Sequence, residues 1–590
     1  MTDNKTVRYG SDLMAELIAN LDVPFIALNP GASFRGLHDS LINHPHREMP
    51  ELITCTHEEI SVDIAHGYAK ATGKVMAAAI HNVVGLQHAT MAICDAWCDR
   101  VPVLLFGGTG PMPVEKRRPG SDWLHTALVQ GNLIRDFVKW DDQPASVQSL
   151  SDSIYRAHRL AVTEPAGPVY VCFDAMLQEA PIEQEELDSV PALTNPPSPE
   201  AYSPGTPPGP SPAVTARLVE ALEGAKWPVI IADYTARSDE AFHALAQLAE
   251  DWAIPVIDQG SRFNMATDHP MNLSGANFEV LERADVVIAL DMKDLYGALS
   301  RIERTIRTTE PVLQPSARVF AVSLMDYTTR AWSADFQRLF PTEMNILADT
   351  QVLLPVLREA LSARPLPAVV ESRRKTVTDW HASLREQWKQ KAVKKRTETP
   401  IATAVMADEL WTLLKDEDFV LANGNLRGWV QKIFTMSSPR QYLGASGGGG
   451  LGYGIGATIG ACLAHRGSEK IVVDIQSDGD LLFTPGGLWT LAHHELPALI
   501  VMFNNRSYYN SEEHQINIAR HRGRNVERTS IGTTIVDPPV DFAAMAESMG
   551  VAGIGPIENV DDIAPALKKA LAIVKNERRS VLVDVVTQVK

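Results

Sequence analysis

Two short polar stretches, Ser477-Asp478-Gly479-Asp480 and Asn504-Asn505, decide the fold, because each follows an apolar run typical of a buried strand. The residues between them predict a helix over 487–494 and a strand over 498–503. Neighbouring parallel strands end at one edge of a sheet, where α/β proteins bind ligands. Carboxylate, amide and carbonyl oxygens are ligands that Mg²⁺ prefers, with phosphate oxygens completing its octahedron. The segment therefore predicts a metal-bridged diphosphate site, the alternative being an ordinary βαβ unit with a polar turn.

Composition indicates a large soluble globular protein and excludes several classes. The chain has 590 residues, 45% hydrophobic and 21% charged, enough for about three to four domains. Its net charge of −18 argues against nucleic acid as a main partner, since phosphate binding needs a basic surface. Five cysteines are too few for a disulfide framework, which favours a cytoplasmic location. Residues 1–14 lack a signal pattern, and no apolar run is long enough to span a bilayer, so we expect no membrane association.

Apolar strands alternate with helical segments in three blocks of the chain. This alternation predicts an α/β protein of three doubly wound parallel-sheet domains. Proline-rich and charged stretches separate the blocks, and we interpret the charged one as a linker containing a solvated helix. The expected boundaries are a first domain at 1–190, a proline-rich linker at 191–213, a central domain at 214–365, a charged linker at 366–399 and a third domain at 400–590.

The spacing of Asp478 and Asn505, together with the three-block layout, resembles the thiamine diphosphate-dependent enzymes, the superfamily of acetolactate synthase, benzoylformate decarboxylase and benzaldehyde lyase. The resemblance implies that Asp478 and Asn505 bind Mg²⁺ through their side chains and Ser507 through its carbonyl oxygen. Ser477 stands where the family usually has glycine, so a positive φ there would strain the serine. Three further residues of this segment are predicted to bind the cofactor: Gly479, Asp480 and Tyr508.

The resemblance also assigns roles to the three domains and to the assembly. They would be an aminopyrimidine-binding, a central and a diphosphate-binding domain. The cofactor would lie between the first block of one subunit and the third block of another. We therefore expect a homodimer or a homotetramer, with active sites at the interface.

A second motif lies in the first block, where His57-Glu58 precedes Gly67-Tyr68-Ala69 and Thr72-Gly73. The resemblance implies that Glu58 hydrogen-bonds the aminopyrimidine ring nitrogen and drives the tautomerisation by which the cofactor loses its C2 proton. Counting from Gly67, Glu58 is in register and Glu59 is not. Glu58 would lie near a helix start, where the dipole favours a carboxylate. Alternatively, the two glutamates only charge the helix N-terminus.

A glycine-rich run over residues 445–456 precedes a predicted helix and allows close approach of the backbone to a ligand. In the family such a segment supports the bent cofactor, with Leu451 between the two rings and the Gly449 carbonyl accepting from the 4′-amino group. A flexible loop is the alternative. The cofactor-binding residues predicted in these loops and strand ends are Asn29, Pro30, Gly31, Asn425, Gly449, Gly450 and Leu451.

Two histidines are candidates for proton transfer, because an imidazole titrates near neutral pH. His81 ends a predicted strand, in the register where benzoylformate decarboxylase-like enzymes carry an active-site histidine. His125 lies where many carboligases and lyases carry glutamine. Each histidine has a purely structural role as its alternative.

We interpret the chain as a thiamine diphosphate- and Mg²⁺-dependent lyase or transferase that breaks or forms a C–C bond beside a carbonyl. The favoured reaction is decarboxylation of a 2-oxo acid, or carboligation with an aldehyde or 2-hydroxy ketone as a further substrate type. A 2-hydroxyacyl-CoA lyase or oxalyl-CoA decarboxylase type is the first alternative and would need a CoA site in the central block. A non-catalytic binder of the cofactor is the second.

Overall fold

The computed structural model describes residues 7–44, 48–328 and 338–589. The chain divides into two compact units. The first comprises the residues up to Thr206 together with Ser446–Ala464 and Thr484–His494, and the second comprises Pro207–Ala445, His465–Phe483 and the chain from Glu495. The outermost residues of the first and third predicted domains, 1–6 and 590, lie outside the described residues.

The first unit is built on a six-stranded parallel sheet with the order β2-β1-β3-β4-β6-β5. Its strands are β1 Phe25–Leu28, β2 Glu51–Thr54, β3 Met76–Ile80, β4 Val103–Thr109, β5 Asp141–Asp142 and β6 Val169–Asp174. Its helices are Gly10–Asn20, Arg35–Asn43, Glu58–Thr72, Asn82–Cys98, Leu150–Val162, Ala175–Glu179, Gln184–Ser189, Pro191–Thr194, Tyr453–Ala464 and Gly487–His493. Because helices cover both faces, β3, β4 and β6 are buried throughout, and they are apolar except at the last residues of β4 and β6.

Small residues let the Glu58–Thr72 and Tyr453–Ala464 helices pack with their backbones in contact. A Cβ added at Gly460 would lie 2.2 Å from the Ile64 carbonyl oxygen, and one added at Gly67 would lie 2.3 Å from that of Ala457. Side chains larger than hydrogen cannot be accommodated at such distances. This packing fixes the start of the Glu58–Thr72 helix relative to the glycine-rich run.

The second unit contains two five-stranded parallel sheets, ordered β13-β12-β9-β7-β8 and β14-β15-β16-β18-β17, and an antiparallel pair, β10-β11. The strands are β7 Pro228–Ala232, β8 Val256–Asp258, β9 Val286–Leu290, β10 Ser300–Glu303, β11 Thr308–Pro311, β12 Arg318–Val322, β13 Met344–Ile346, β14 Phe419–Asn423, β15 Ile471–Ser477, β16 Leu499–Asn504, β17 Ala552–Ile557 and β18 Val581–Val586. The helices are Pro212–Gly224, Asp239–Trp252, Asn277–Leu281, Leu295–Ala298, Thr350–Ser362, Val369–Lys394, Thr403–Leu414, Trp429–Ile433, Asp478–Leu481, Tyr509–His521, Phe542–Ser548 and Val560–Ala572.

The predicted fold class, three parallel-sheet α/β domains, is confirmed. The charged stretch differs from the expectation, because the Val369–Lys394 helix is only partly solvated. Arg373 is 2% exposed and donates to the carbonyl oxygens of Trp252 and Ala253. The last carbonyl oxygens of a helix have no hydrogen-bond donor within that helix. At the end of the helix Asp239–Trp252, the Arg373 guanidinium is that donor. Within the part of the chain that the structure describes, no helix is both long and apolar enough to cross a membrane.

Candidate active site

Asp478 and Asn505 follow neighbouring strands in the second unit. β15 pairs with β16 in parallel, with Ser477 opposite Phe503, so both strands end at the same edge of the sheet. Asp478 is 1% exposed, and burial raises its pKa to about 6. The Gly479 backbone N–H donates to Oδ1 of this carboxylate at 2.9 Å and partly offsets the rise in its pKa. The proximity predicted from the sequence is therefore observed.

The chemistry of these side chains fits a hard divalent cation. Oδ2 of Asp478 is buried and has no hydrogen-bond partner among the described residues. Oδ1 of Asn505 accepts from the Ser507 backbone N–H at 2.9 Å, which orients the amide. A buried carboxylate oxygen without a donor is costly, and a cation would satisfy it. The Ser507 hydroxyl is itself occupied, donating to Glu512 at 2.7 Å.

The turn around Asp478 accommodates the serine without strain. Ser477 has φ −94° and ψ 150°, which is extended backbone open to any residue. The left-handed conformation falls instead on Arg506, at φ 57°. Gly479 lies against the ring of Tyr508, because an added Cβ would be 2.6 Å from a ring carbon. Asp480 accepts from the Gln476 side chain at 2.6 Å.

Asn425 follows β14 in the same unit. Its side chain caps a short turn by accepting from the Gly428 N–H at 3.2 Å. It also lines a cavity of about 280 Å³, together with Asp258, Trp388 and Lys432.

Glu58 opens a helix in the first unit, as expected. His57 is the N-cap and accepts from the Glu59 N–H at 3.2 Å. Glu58 is 7% exposed, whereas Glu59 is only partly buried. The Glu58 carboxylate lies over Gly85, where an added Cβ would be 2.9 Å from Oε1. The Glu58–Thr72 helix thus carries one buried carboxylate at its N-terminus, the position that its dipole favours.

His81 and His125 lie together beside a cavity of about 290 Å³ in the first unit. Their rings meet edge to face with centroids 5.7 Å apart. His81 Nδ1 is 3.0 Å from the Ser33 hydroxyl, which itself accepts from the Asn82 N–H. Burial and the proximity of His125 lower the pKa of His81. His81 is therefore neutral at neutral pH and is able to accept a proton.

The end of β1 lies beside this cavity. Gly31 is essential to the packing, because an added Cβ would be 2.2 Å from the His81 Cβ. Asn29, followed by Pro30, donates from its side chain to the Cys55 carbonyl oxygen at 3.3 Å. The side chain of Asn29 therefore ties the ends of neighbouring strands β1 and β2 together.

The glycine-rich run is held by a buried carboxylate that the sequence did not reveal. Asp95 is 2% exposed and accepts from the Gly450 N–H at 3.3 Å. Gly449 has φ +75° with open space where a Cβ would be, and Leu451 is 38% exposed. Gly449, Gly450 and Leu451 therefore present backbone groups and one apolar side chain to their surroundings, as a cofactor-binding loop requires.

Three polar residues near the predicted site were missed: Ser33, His88 and Asp95. Each lies on a loop or helix of the first unit and touches a predicted residue from a distant part of the chain. Ser33 carried a weak signal, since it stands close to the predicted Gly31. His88 and Asp95 carried none, because their contacts depend on how helix Asn82–Cys98 packs.

Comparison with known proteins identifies the family. Residues 8–131 match the N-terminal TPP binding domain of thiamine pyrophosphate enzymes, residues 215–300 the central domain, and residues 422–585 the C-terminal TPP binding domain. Together these matches cover more than half of the chain. The chain therefore belongs to the thiamine pyrophosphate (thiamine diphosphate) enzyme family.

Relatives cover nearly the whole chain at low identity. The acetolactate synthase large subunit of Lactococcus lactis is 23% identical over 95% of this chain and 90% of its own length. The acetolactate synthase isozyme 3 large subunit of Escherichia coli is 24% identical over 98% of this chain and 94% of its own. Among solved structures, the 4-hydroxybenzoylformate decarboxylase of Rhodococcus jostii matches with TM-score 0.76 and 20% identity, covering 98% of this chain and 99% of that one. Benzoylformate decarboxylase of Polynucleobacter necessarius matches with TM-score 0.77 and 18% identity, with the same coverage.

Proposed function

We propose that this protein is a thiamine diphosphate- and Mg²⁺-dependent enzyme that decarboxylates a 2-oxo acid or uses the product of that step in carboligation. The observation that carries the proposal is the buried Asp478 oxygen without a donor, at a strand end shared with Asn505. A binding site for a hard cation and its phosphate ligands would satisfy this oxygen. Membership of the family and the relatives named above support the same reading.

Each group of residues has a distinct task in this proposal. Asp478, Asn505 and the Ser507 carbonyl would hold Mg²⁺, which would offset the negative charge of the diphosphate. When bound, the cofactor supplies a C2 carbanion that adds to a carbonyl and takes up the electrons of the cleaved bond. Glu58 would hold and release the proton of the aminopyrimidine ring nitrogen. Its burial suits this task, since a dry site strengthens each hydrogen bond.

Proton transfer at the substrate would fall to His81, with His125 as its neighbour. His81 is held by Ser33 and borders a cavity large enough for a small substrate. Its lowered pKa keeps it a base at neutral pH. As the family resemblance implies, a homodimer would complete each active site.

A second candidate function is an acyl-CoA lyase or decarboxylase. It is favoured by the cavity in the second unit, which offers the Trp388 ring and the cations of Arg262 and Lys432. An aromatic face suits a purine and cations suit a diphosphate. Thermal stabilisation by CoA or ADP, lost in Trp388→Ala, would support this candidate, and absence of stabilisation would contradict it.

CO₂ release is the direct test of the first proposal. The purified protein with thiamine diphosphate and Mg²⁺ is assayed against small, branched and aromatic 2-oxo acids. We expect release from one size class and none from Glu58→Gln, with Glu59→Gln as the matched control. Cofactor binding without release from any acid would contradict the decarboxylase proposal.

A further inference from the structure

One histidine contacts Glu58 directly and has no role in the proposal above. His88 Nδ1 lies 3.1 Å from Glu58 Oε2. The histidine stands one helical turn beyond Gly85, on the helix Asn82–Cys98. The same turn therefore makes room for the carboxylate at Gly85 and provides its hydrogen-bond donor at His88.

Exposure differs sharply between the two partners. The Glu58 side chain is 10% exposed and that of His88 is 51% exposed. A neighbouring titratable group that reaches water gives a buried acid a route for exchanging its proton. In the single subunit, His88 is a titratable group that contacts Glu58 and reaches solvent, and its ring is stacked on His57 with centroids 5.1 Å apart.

We propose that His88 positions Glu58 and exchanges its proton with solvent, so that both carboxylate oxygens have a fixed task. This inference rests on the proposed function. The Nδ1–H of His88 holds Oε2, which leaves Oε1 for the aminopyrimidine ring nitrogen. When Glu58 gives its proton to that nitrogen, Nδ1–H passes a proton to Oε2 while Nε2 takes one from water, and the reverse sequence returns it. One proton thus passes from water through His88 and Glu58 to the ring nitrogen, the protein keeps its number of protons, and the imidazole ends in its other tautomer until the reverse transfer returns that proton to water.

Other titratable groups near Glu58 and His88 also contribute to the pH dependence of proton transfer at this pair. Glu58 and His57 face His88, both from the turn and helix start at residues 57–58. The charge of Glu58 also acts on His81 through space, opposing the fall in the pKa of His81. Burial lowers the pKa of His57, so His57 is neutral beside His88 at neutral pH.

Three variants separate positioning from proton transfer. His88→Ala removes both. His88→Asn keeps a donor near the position of Nδ1 but cannot relay a proton. Gln87→Ala is the matched control, since Gln87 is exposed on the same helix and next in sequence.

Two readouts on the full-length protein need no substrate. The first is the affinity for thiamine diphosphate at fixed Mg²⁺, followed by tryptophan fluorescence. The second is the rate at which the C2 proton of the bound cofactor exchanges for deuterium, measured by quenched-flow NMR between pH 5.5 and 8.5. The exchange rate reports on Glu58 and its proton supply, whereas a merely structural role would not change its pH profile.

We expect His88→Ala to weaken cofactor binding by about threefold to tenfold, the effect of one lost hydrogen bond. We expect it to slow exchange by more than about tenfold, as loss of a proton-transfer group does. His88→Asn should restore affinity but not the exchange rate or its pH profile. Exchange at the wild-type rate and pH profile in both His88 variants would overturn the inference alone. If the wild-type protein does not exchange the C2 proton of bound cofactor faster than free cofactor does, both the proposed function and this inference are wrong.

Discussion

At the scale of single residues, we expect Asp478→Asn to affect the thermal stability of the protein differently with and without its ligands. Its Oδ2 is buried without a partner among the described residues. Asp478→Asn removes that charge, so we expect the apo protein to unfold at the same or a higher temperature. The variant should lose the stabilisation given by thiamine diphosphate with Mg²⁺, which is about 2.7 kcal/mol for a ligand at one hundred times its Kd.

Thermal unfolding with and without both ligands measures this difference. Asp408→Asn is the control, because burial raises the pKa of Asp408 as well but Asp408 lies in the helix Thr403–Leu414. The control should keep the full ligand response. An Asp478→Asn protein that is destabilised when apo, yet still stabilised by the ligands, would exclude Asp478 as a metal ligand.

The buried carboxyl group of Asp95 should make the free energy of unfolding rise as the pH falls. Burial raises its pKa to about 6, above the ordinary value of about 3.9. The native state therefore takes up a proton between about pH 6 and pH 4 that the unfolded state does not, so stability from this group rises as the pH falls through that window. Relative to Asp95→Asn, the wild type should gain on the order of 1–2 kcal/mol between pH 7 and pH 5. Urea unfolding at several pH values checks this, and a flat difference would contradict it.

The sequence predicted the positions of those candidate site residues that follow from strand order alone. Asp478 and Asn505 each come directly after a strand, and parallel pairing brings the two strand ends together. His88 and Asp95 could not be predicted, because their partners, Glu58 and Gly450, lie 30 and 355 positions away. No local pattern encodes such contacts, which arise from the way the helix Asn82–Cys98 packs.

At the scale of elements, the close contact of the helices Glu58–Thr72 and Tyr453–Ala464 is tested by Gly460→Ala. Alanine favours a helix over glycine by up to about 1 kcal/mol. Its Cβ would nevertheless lie 2.2 Å from the Ile64 carbonyl oxygen and 2.4 Å from the Tyr68 nitrogen. We expect the clash to prevail, with a net loss of about 1–3 kcal/mol.

The matched substitution is Gly224→Ala, at the end of the helix Pro212–Gly224. An added Cβ there has no heavy atom within 4 Å in the described structure. It should be neutral or stabilising by up to about 1 kcal/mol. Thermal unfolding of both variants separates the two cases, and equal effects would show that the helix contact does not limit side-chain size.

Element boundaries show where sequence patterns stop being informative. The strand predicted over 498–503 is observed as β16, Leu499–Asn504, because buried parallel strands have a continuous apolar signature. The Val369–Lys394 helix was predicted as solvated because its composition is charged. The burial of Arg373 could not be foreseen, since the guanidinium packs on carbonyls of residues more than 100 positions away.

At the scale of the whole molecule, a stretch of the first unit rich in exposed apolar side chains, here called the apolar strip, predicts self-association. Six large apolar side chains within residues 114–133 are 40–74% exposed. They are Val114, Trp123, Leu124, Leu128, Val129 and Leu133. Soluble proteins rarely leave large apolar patches uncovered. A chain of net charge −18 also repels its copies, so its association requires apolar contact to outweigh that repulsion.

We therefore expect a homodimer or homotetramer in which this strip is covered, and Leu128→Asp should shift it toward the monomer. Burying an unpaired carboxylate costs several kcal/mol, about a thousandfold or more in the dissociation constant. Leu339→Asp is the control, since Leu339 is 92% exposed in the second unit. Sedimentation equilibrium at several concentrations measures both variants.

If cofactor sites need two subunits, Leu128→Asp should also lose stabilisation by thiamine diphosphate in proportion to the monomer formed. A monomeric variant that keeps full cofactor stabilisation would place each site within one chain.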